Sequence, residues 1–131
     1  MQTSTDLQLL GQVLDWFDQF DQPQIPRTVW LQCQLALAEG FTNAVRHAHA
    51  GKPPETPIEI EVLLQPNSVE LRIWDYGSGF DLEHRLDSLP EPKNQDSGGG
   101  RGLKIIRQTA DLVHYGAADS QRNCLQIVKN Y

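Results

Sequence analysis

A hairpin pattern over residues 58–74 sets the architecture. Ile58, Ile60, Val62 and Leu64 alternate with Glu59, Glu61 and Leu63, Pro66-Asn67-Ser68 makes a turn, and Val69, Leu71 and Ile73 alternate with Glu70, Arg72 and Trp74. Period two with apolar residues on one side is the signature of a half-buried strand, and two such runs joined by a short turn pair antiparallel. The apolar face of that hairpin has to be covered. Segments of helical period supply the cover. Residues 5–20 place Leu7, Leu10, Val13, Leu14 and Phe17 at helical spacing, with Asp6 near the start and Thr5 able to cap it. Two prolines make residues 21–26 a turn, and Pro26 opens a second helix expected over about 27–50. Leu31, Leu35, Ala38 and Val45 on one side and Leu37, Phe41, Ala44 and Ala48 on another cover more than a single stripe. Such a helix is expected to be buried round most of its circumference, so the polar residues it keeps inside need a reason.

From Asp75 the alternation stops. Residues 76–102 carry glycines at 77, 79, 98, 99, 100 and 102 and prolines at 90 and 92, with a short helical turn expected at 82–89. A loop of that length inside a small domain is usually functional. Leu103, Ile105, Ile106, Ala110 and Val113 then mark a third helix, and two short strands are expected near 113–117 and 123–129 about a turn at 118–121. The order of helices, hairpin, loop, helix and hairpin predicts an α+β fold: a two-layer sandwich, its mixed sheet mostly antiparallel, with helices on one face. At 131 residues and 39% hydrophobic, the chain is expected to form one domain over 1–131.

Charge and composition narrow the function classes. A formal net charge of −6 disfavours nucleic acid and anionic membrane surfaces as direct partners, because both are held through displaced counterions and exposed cations. No apolar stretch approaches the ~20 residues of a bilayer span. The start MQTSTDLQLL lacks the basic and long apolar regions of a signal peptide, so the expected address is cytoplasmic. Cys33 and Cys124 have no metal or redox spacing and are expected to be buried free thiols. His47, His49, His84 and His114 do not form a zinc pattern.

Three short motifs can carry chemistry. In Glu39-Gly-Phe-Thr-Asn43-Ala-Val-Arg46-His47, four-residue spacing stacks Glu39, Asn43 and His47 on one side of the second helix. A carboxylate there can take a proton from a hydroxyl, and an amide oxygen suits Mg²⁺. E-x-x-x-N is also an ordinary polar helix edge. In Trp74-Asp75-Tyr76-Gly77-Ser78-Gly79-Phe80, a strand-end aspartate can accept from an exocyclic amine and the glycines let a flat ligand approach, although D-x-G is a common turn as well. In Ser97-Gly98-Gly99-Gly100-Arg101-Gly102-Leu103, glycines at a helix start present free N–H groups and the positive dipole end to an anion, and Arg101 adds charge; a plain linker has the same composition. Neither the P-loop pattern nor a dinucleotide G-x-G-x-x-G in a strand-turn-helix unit is present.

In this order the three motifs resemble the boxes of the GHKL (Bergerat-fold) ATPase superfamily over roughly residues 31–128. Leu35-Ala-Leu-Ala-Glu39-Gly-Phe-Thr-Asn43-Ala-Val-Arg46-His47-Ala is similar to the helix of the anti-sigma-factor serine/threonine kinases of the RsbW and SpoIIAB type. The resemblance implies the histidine kinase-like ATPase fold, ATP and Mg²⁺ as cofactors, and a nucleotide site within 31–113. It implies Glu39 as general base, Asn43 as Mg²⁺ ligand, Arg46 and His47 beside them, and Asp75 as adenine acceptor. Gly77, Gly79 and Phe80 would wall the base pocket, and Gly100, Arg101, Gly102 and Leu103 would seat the phosphates beneath a lid at about 81–99. The implied function is an anti-sigma factor that phosphorylates a serine of a STAS-type anti-sigma factor antagonist, regulating transcription by partner switching with a sigma factor, as a homodimer. An arginine that family members often carry ahead of the second glycine box has no counterpart, since Gly98 and Gly99 stand there; Arg101 is its expected substitute. The strand that often precedes the first helix is expected to be short or absent. Two alternatives follow from the same motifs: a non-catalytic, nucleotide-dependent partner-binding regulator, for which no base is needed, and a stand-alone histidine-kinase catalytic domain, which needs a phospho-accepting histidine that residues 1–30 lack.

Overall fold

The computed structural model describes residues 1–79 and 100–131. Strands β1 (Gln2–Thr3), β2 (Ile58–Gln65), β3 (Ser68–Asp75), β4 (Leu112–Ala117) and β5 (Asn123–Asn130) form one sheet in the order β1-β2-β3-β5-β4. Every neighbouring pair among the described residues is antiparallel, in line with the mostly antiparallel sheet expected from the sequence. Strand β5, the second strand of the closing hairpin, lies beside β3 and leaves β4 at the edge. The strand ahead of the first helix is present but only two residues long, paired with β2 through Gln2 and Thr3.

Register places the core. Ile73 lies opposite Ile60 and Leu125, and Leu71 opposite Val62 and Ile127, so apolar rows run across three strands on one face. Burying each such side chain contributes roughly 1.5–3 kcal/mol. The alternate residues Glu59, Glu61, Glu70, Arg72 and Trp74 take the other face.

Helices α1 (Leu10–Asp18), α2 (Arg27–Asn43) and α3 (Gly100–Thr109) cover the apolar face. The first helix begins as a 3-10 turn at Leu7–Leu9, and Asp6, not Thr5, caps it by accepting the Gln8 N–H. Phe17 of α1 stacks on Trp30 of α2 with centroids 4.1 Å apart, and Trp30 Nε1 donates to Asp18 Oδ1 at 3.1 Å. Buried residues of α2 include Trp30, Cys33, Leu37, Gly40, Phe41 and Asn43, whereas Leu31 and Leu35, expected on a covered side, are exposed. At Gly40 the helix comes so near the sheet that a Cβ would lie 2.5 Å from Ile73 Cδ1.

The second helix does not continue as α-helix to residue 50. After Asn43 it passes into a π turn over Ala44–Ala48, closed by the His49 N–H to Ala44 carbonyl bond at 2.9 Å. The third helix ends at Thr109, and Val113, read from sequence as its last apolar position, lies in β4 opposite Ile127. Asp111 N–H has by then bonded Val128 O, so the chain is already committed to the sheet. Both cysteines are free; Cys33 is buried, whereas Cys124 is only half-buried because its strand position faces away from the helices. No helix among the described residues is long and apolar enough to cross a membrane.

Candidate functional site

Glu39 and Asn43 sit one turn apart at the end of α2, where the four-residue column read from sequence holds. Asn43 is 3% exposed, and its Oδ1 has no hydrogen-bond partner among the described residues. A buried acceptor left without a partner costs about 1–3 kcal/mol, so such an atom in a folded protein calls for an explanation. A buried amide oxygen with free lone pairs is a fitting ligand for a hard cation such as Mg²⁺. Glu39 is half-buried and lies against the first turn of α3: a Cβ on Gly102 would fall 1.9 Å from Glu39 Oε2. The structure thus brings together Glu39, Gly102 and the start of the ten-residue helix α3, whose first N–H groups have no intrahelical acceptor. Leu103 is buried behind them.

Asp75 closes β3 and is 2% exposed. Its Oδ1 accepts from the Gly77 N–H at 2.9 Å and from Asn123 Nδ2 at 3.1 Å, and its Oδ2 accepts from the Tyr115 hydroxyl at 2.9 Å. Asn123 Nδ2 also reaches Gly77 O at 2.9 Å. Burial and the neighbouring Asp75 carboxylate push the Tyr115 phenol well above its ordinary range, so it stays a donor. A carboxylate oxygen with one such bond still has a lone pair to offer an amine. Gly77 is glycine for a steric reason, since a Cβ there would lie 2.4 Å from the Ala48 carbonyl oxygen; Gly79 has φ +86, open to glycine at little cost.

The π turn changes the histidine positions. The turn that carries His47 holds one residue more than an α-helical turn. His47 is half-buried and Arg46 exposed. His49, given no role from sequence, is 2% exposed; its Nε2 accepts the Tyr76 N–H at 2.8 Å and its Nδ1 lies 2.8 Å from the Thr5 hydroxyl, which donates to Thr56 O at 2.6 Å. Burial lowers its pKa below the ordinary histidine value. Arg101 lies in the first turn of α3. Phe80 and the lid at 81–99, with Gly98 and Gly99, lie outside the described residues.

Sequence reasoning missed Tyr115, Asn123 and His49. Alternation alone could have put Tyr115 and Asn123 on the inner face, but their meeting with Asp75 depends on β5 inserting beside β3.

The histidine kinase-like ATPase domain model matches residues 3–129. Serine-protein kinase RsbW of Listeria monocytogenes is 34% identical over 85 residues, which are 61% of this chain and 54% of that protein. Anti-sigma F factor of Oceanobacillus iheyensis is 25% identical over 99 residues, 75% of this chain and 67% of that one. The chain spans about half the length of the RsbW relatives it matches. The mycobacterial sensor histidine kinase MprB superposes with a TM-score of 0.58 at 17% identity, covering 99% of this chain and 96% of that one, a likeness of fold.

Proposed function

Because the chain belongs to the histidine kinase-like ATPase domain family, we propose that the pocket between α2, the end of β3 and the start of α3 binds ATP. We further propose that the chain passes the terminal phosphate to a serine of a protein partner. The observation that carries this reading is the buried Asn43 Oδ1 without a partner, one turn beyond a Glu39 carboxylate that rests on the first turn of α3.

In this reading Asp75 accepts the exocyclic amine of adenine on the oxygen that Tyr115 also serves, and the turn at Gly77 and Gly79 lies along the base. The α3 N–H groups hold the phosphates. Mg²⁺ would be held by Asn43 Oδ1 and would supply neutralisation of phosphate charge. Glu39 takes the proton of the attacking serine hydroxyl as the bond from serine oxygen to phosphorus forms and the bond from phosphorus to ADP breaks. Phosphoryl transfer of this kind depends mainly on positioning and charge stabilisation, to which a general base adds roughly 10²–10⁴-fold.

The partner classes follow from the relatives, a serine-protein kinase and an anti-sigma F factor. We propose a sigma factor as the captured protein and its STAS-type antagonist as the serine substrate, with partner switching between them and a cytoplasmic setting. The test is transfer of labelled phosphate from ATP to a candidate antagonist by wild type and Glu39→Gln. Serine labelling by wild type, lost in Glu39→Gln while ATP binding persists, is expected. Binding without labelling of any antagonist would contradict the kinase reading and favour a nucleotide-dependent regulator, to which the missing arginine ahead of Gly100 also points.

A further inference from the structure

We propose that His49 is a positioning residue of the base pocket: carried inward by the π turn, its neutral imidazole holds the turn 75–77 in the shape that receives the nucleotide base and ties the N-terminal arm to it. This rests on the reading of Asp75 as the base acceptor.

Three consecutive residues of the pocket are fixed by three separate devices. Asp75 is held by Tyr115 and Asn123, Gly77 is pressed on the Ala48 carbonyl, and Tyr76 between them is held by its N–H to His49 Nε2. Tyr76 is the first residue past the ladder of β3, so its amide needs an acceptor from outside the sheet. The side that receives the Tyr76 N–H must be the unprotonated nitrogen, which puts the imidazole proton on Nδ1. Nδ1–H then donates to Thr5 Oγ1, whose own proton goes to Thr56 O. Every hydrogen in this chain of bonds has one acceptor, and only the Nδ1–H tautomer satisfies it.

The π turn supplies the reach. His49 N–H closes on Ala44 O, a residue buried against the sheet, so the extra residue delivers His49 to the inner side and brings the Ala48 carbonyl against Gly77. Isolated π turns inside helices are often found at functional sites.

A proton on Nε2 would set two donors against each other at Tyr76. The groups whose charge reaches the ring are Asp75 at the end of β3, which favours the cation, and Lys52 beyond the π turn, which opposes it together with burial. The N-terminal arm faces it with the uncharged Thr5 hydroxyl, which is held in turn by the Thr56 carbonyl before β2. Acid therefore loosens the turn.

The test is titration of Mg²⁺-ADP into wild type, His49→Gln and His49→Phe from pH 5.5 to 8, compared at equal pH so that titration of the nucleotide cancels. His49→Gln can accept from Tyr76 N–H and never ionises. It is expected to bind like wild type at pH 7.5 and to lack the loss of affinity that wild type shows as pH falls. His49→Phe leaves the amide without an acceptor and is expected to bind about 10-fold more weakly at pH 7.5. A folded His49→Phe with wild-type affinity, or identical pH profiles for wild type and His49→Gln, would overturn the proposal while leaving the nucleotide site intact. Wild type that binds no ADP would instead overturn the parent reading and this one with it. Should His49→Phe fail to fold, nitrogen NMR of the wild-type imidazole at pH 7 decides: a proton on Nδ1 supports the role, and a proton on Nε2 overturns it.

Discussion

Gly102 leaves the space that the Glu39 carboxylate fills: a Cβ on residue 102 would lie 1.9 Å from Glu39 Oε2 and 2.5 Å from its Cδ. Replacing glycine by alanine inside a helix ordinarily stabilises by about 1 kcal/mol. Here the sign should reverse, since the methyl and the carboxylate cannot share one volume. Gly102→Ala is expected to move the base and lower phosphate transfer by roughly 10²-fold or more while the chain remains folded, as measured by circular dichroism alongside the transfer assay.

Tyr115 donates to an Asp75 oxygen that is otherwise buried. Tyr115→Phe removes that donor without changing the ring. The expected result is a loss of about 1–3 kcal/mol in denaturant unfolding, the cost of an acceptor left short of a partner. Unchanged stability would mean that the hydroxyl contributes little to holding Asp75.

His49 has a folded-state pKa below the value of 6.5 it takes when unfolded. Between those two values the unfolded chain binds more protons, so stability is fully present above about pH 6.5 and declines as pH falls toward the folded-state value. Thermal melts from pH 8 to pH 5 should show this decline in wild type and a smaller one in His49→Gln.

Burial pushes the Cys33 thiol up to about 11. The thiolate is the reacting form, so Cys33 is expected to resist alkylation at pH 8 in the native chain, with half-buried Cys124 modified first. Mass spectrometry of peptides after timed iodoacetamide treatment checks the order.

Much of the fold was legible because period two and period 3.6 each leave a direct trace in sequence. Ile58, Ile60, Val69, Leu71 and Ile73 all lie on the helix-covered face, as their alternation implied. Glu39 and Asn43 were legible as a pair for the same reason. The π turn was not, because an i to i+5 bond adds one residue without changing the residue types, and Ala44 to Ala48 continue an ordinary helical pattern. His49 was lost with it. Thr5 and Asp6 are both good capping residues, and only the tertiary contact with His49 shows which of the two is free to cap. Tyr115 and Asn123 reach Asp75 through the insertion of β5 beside β3, a choice of strand order that no local pattern encodes.

Calorimetric titration of Mg²⁺-ATP into wild type and Asp75→Asn tests nucleotide binding at this site most directly. Saturable one-to-one binding by wild type, weakened about 10-fold or more in a folded Asp75→Asn, is the expected result. Absence of binding by wild type, or equal binding by the two, would contradict it.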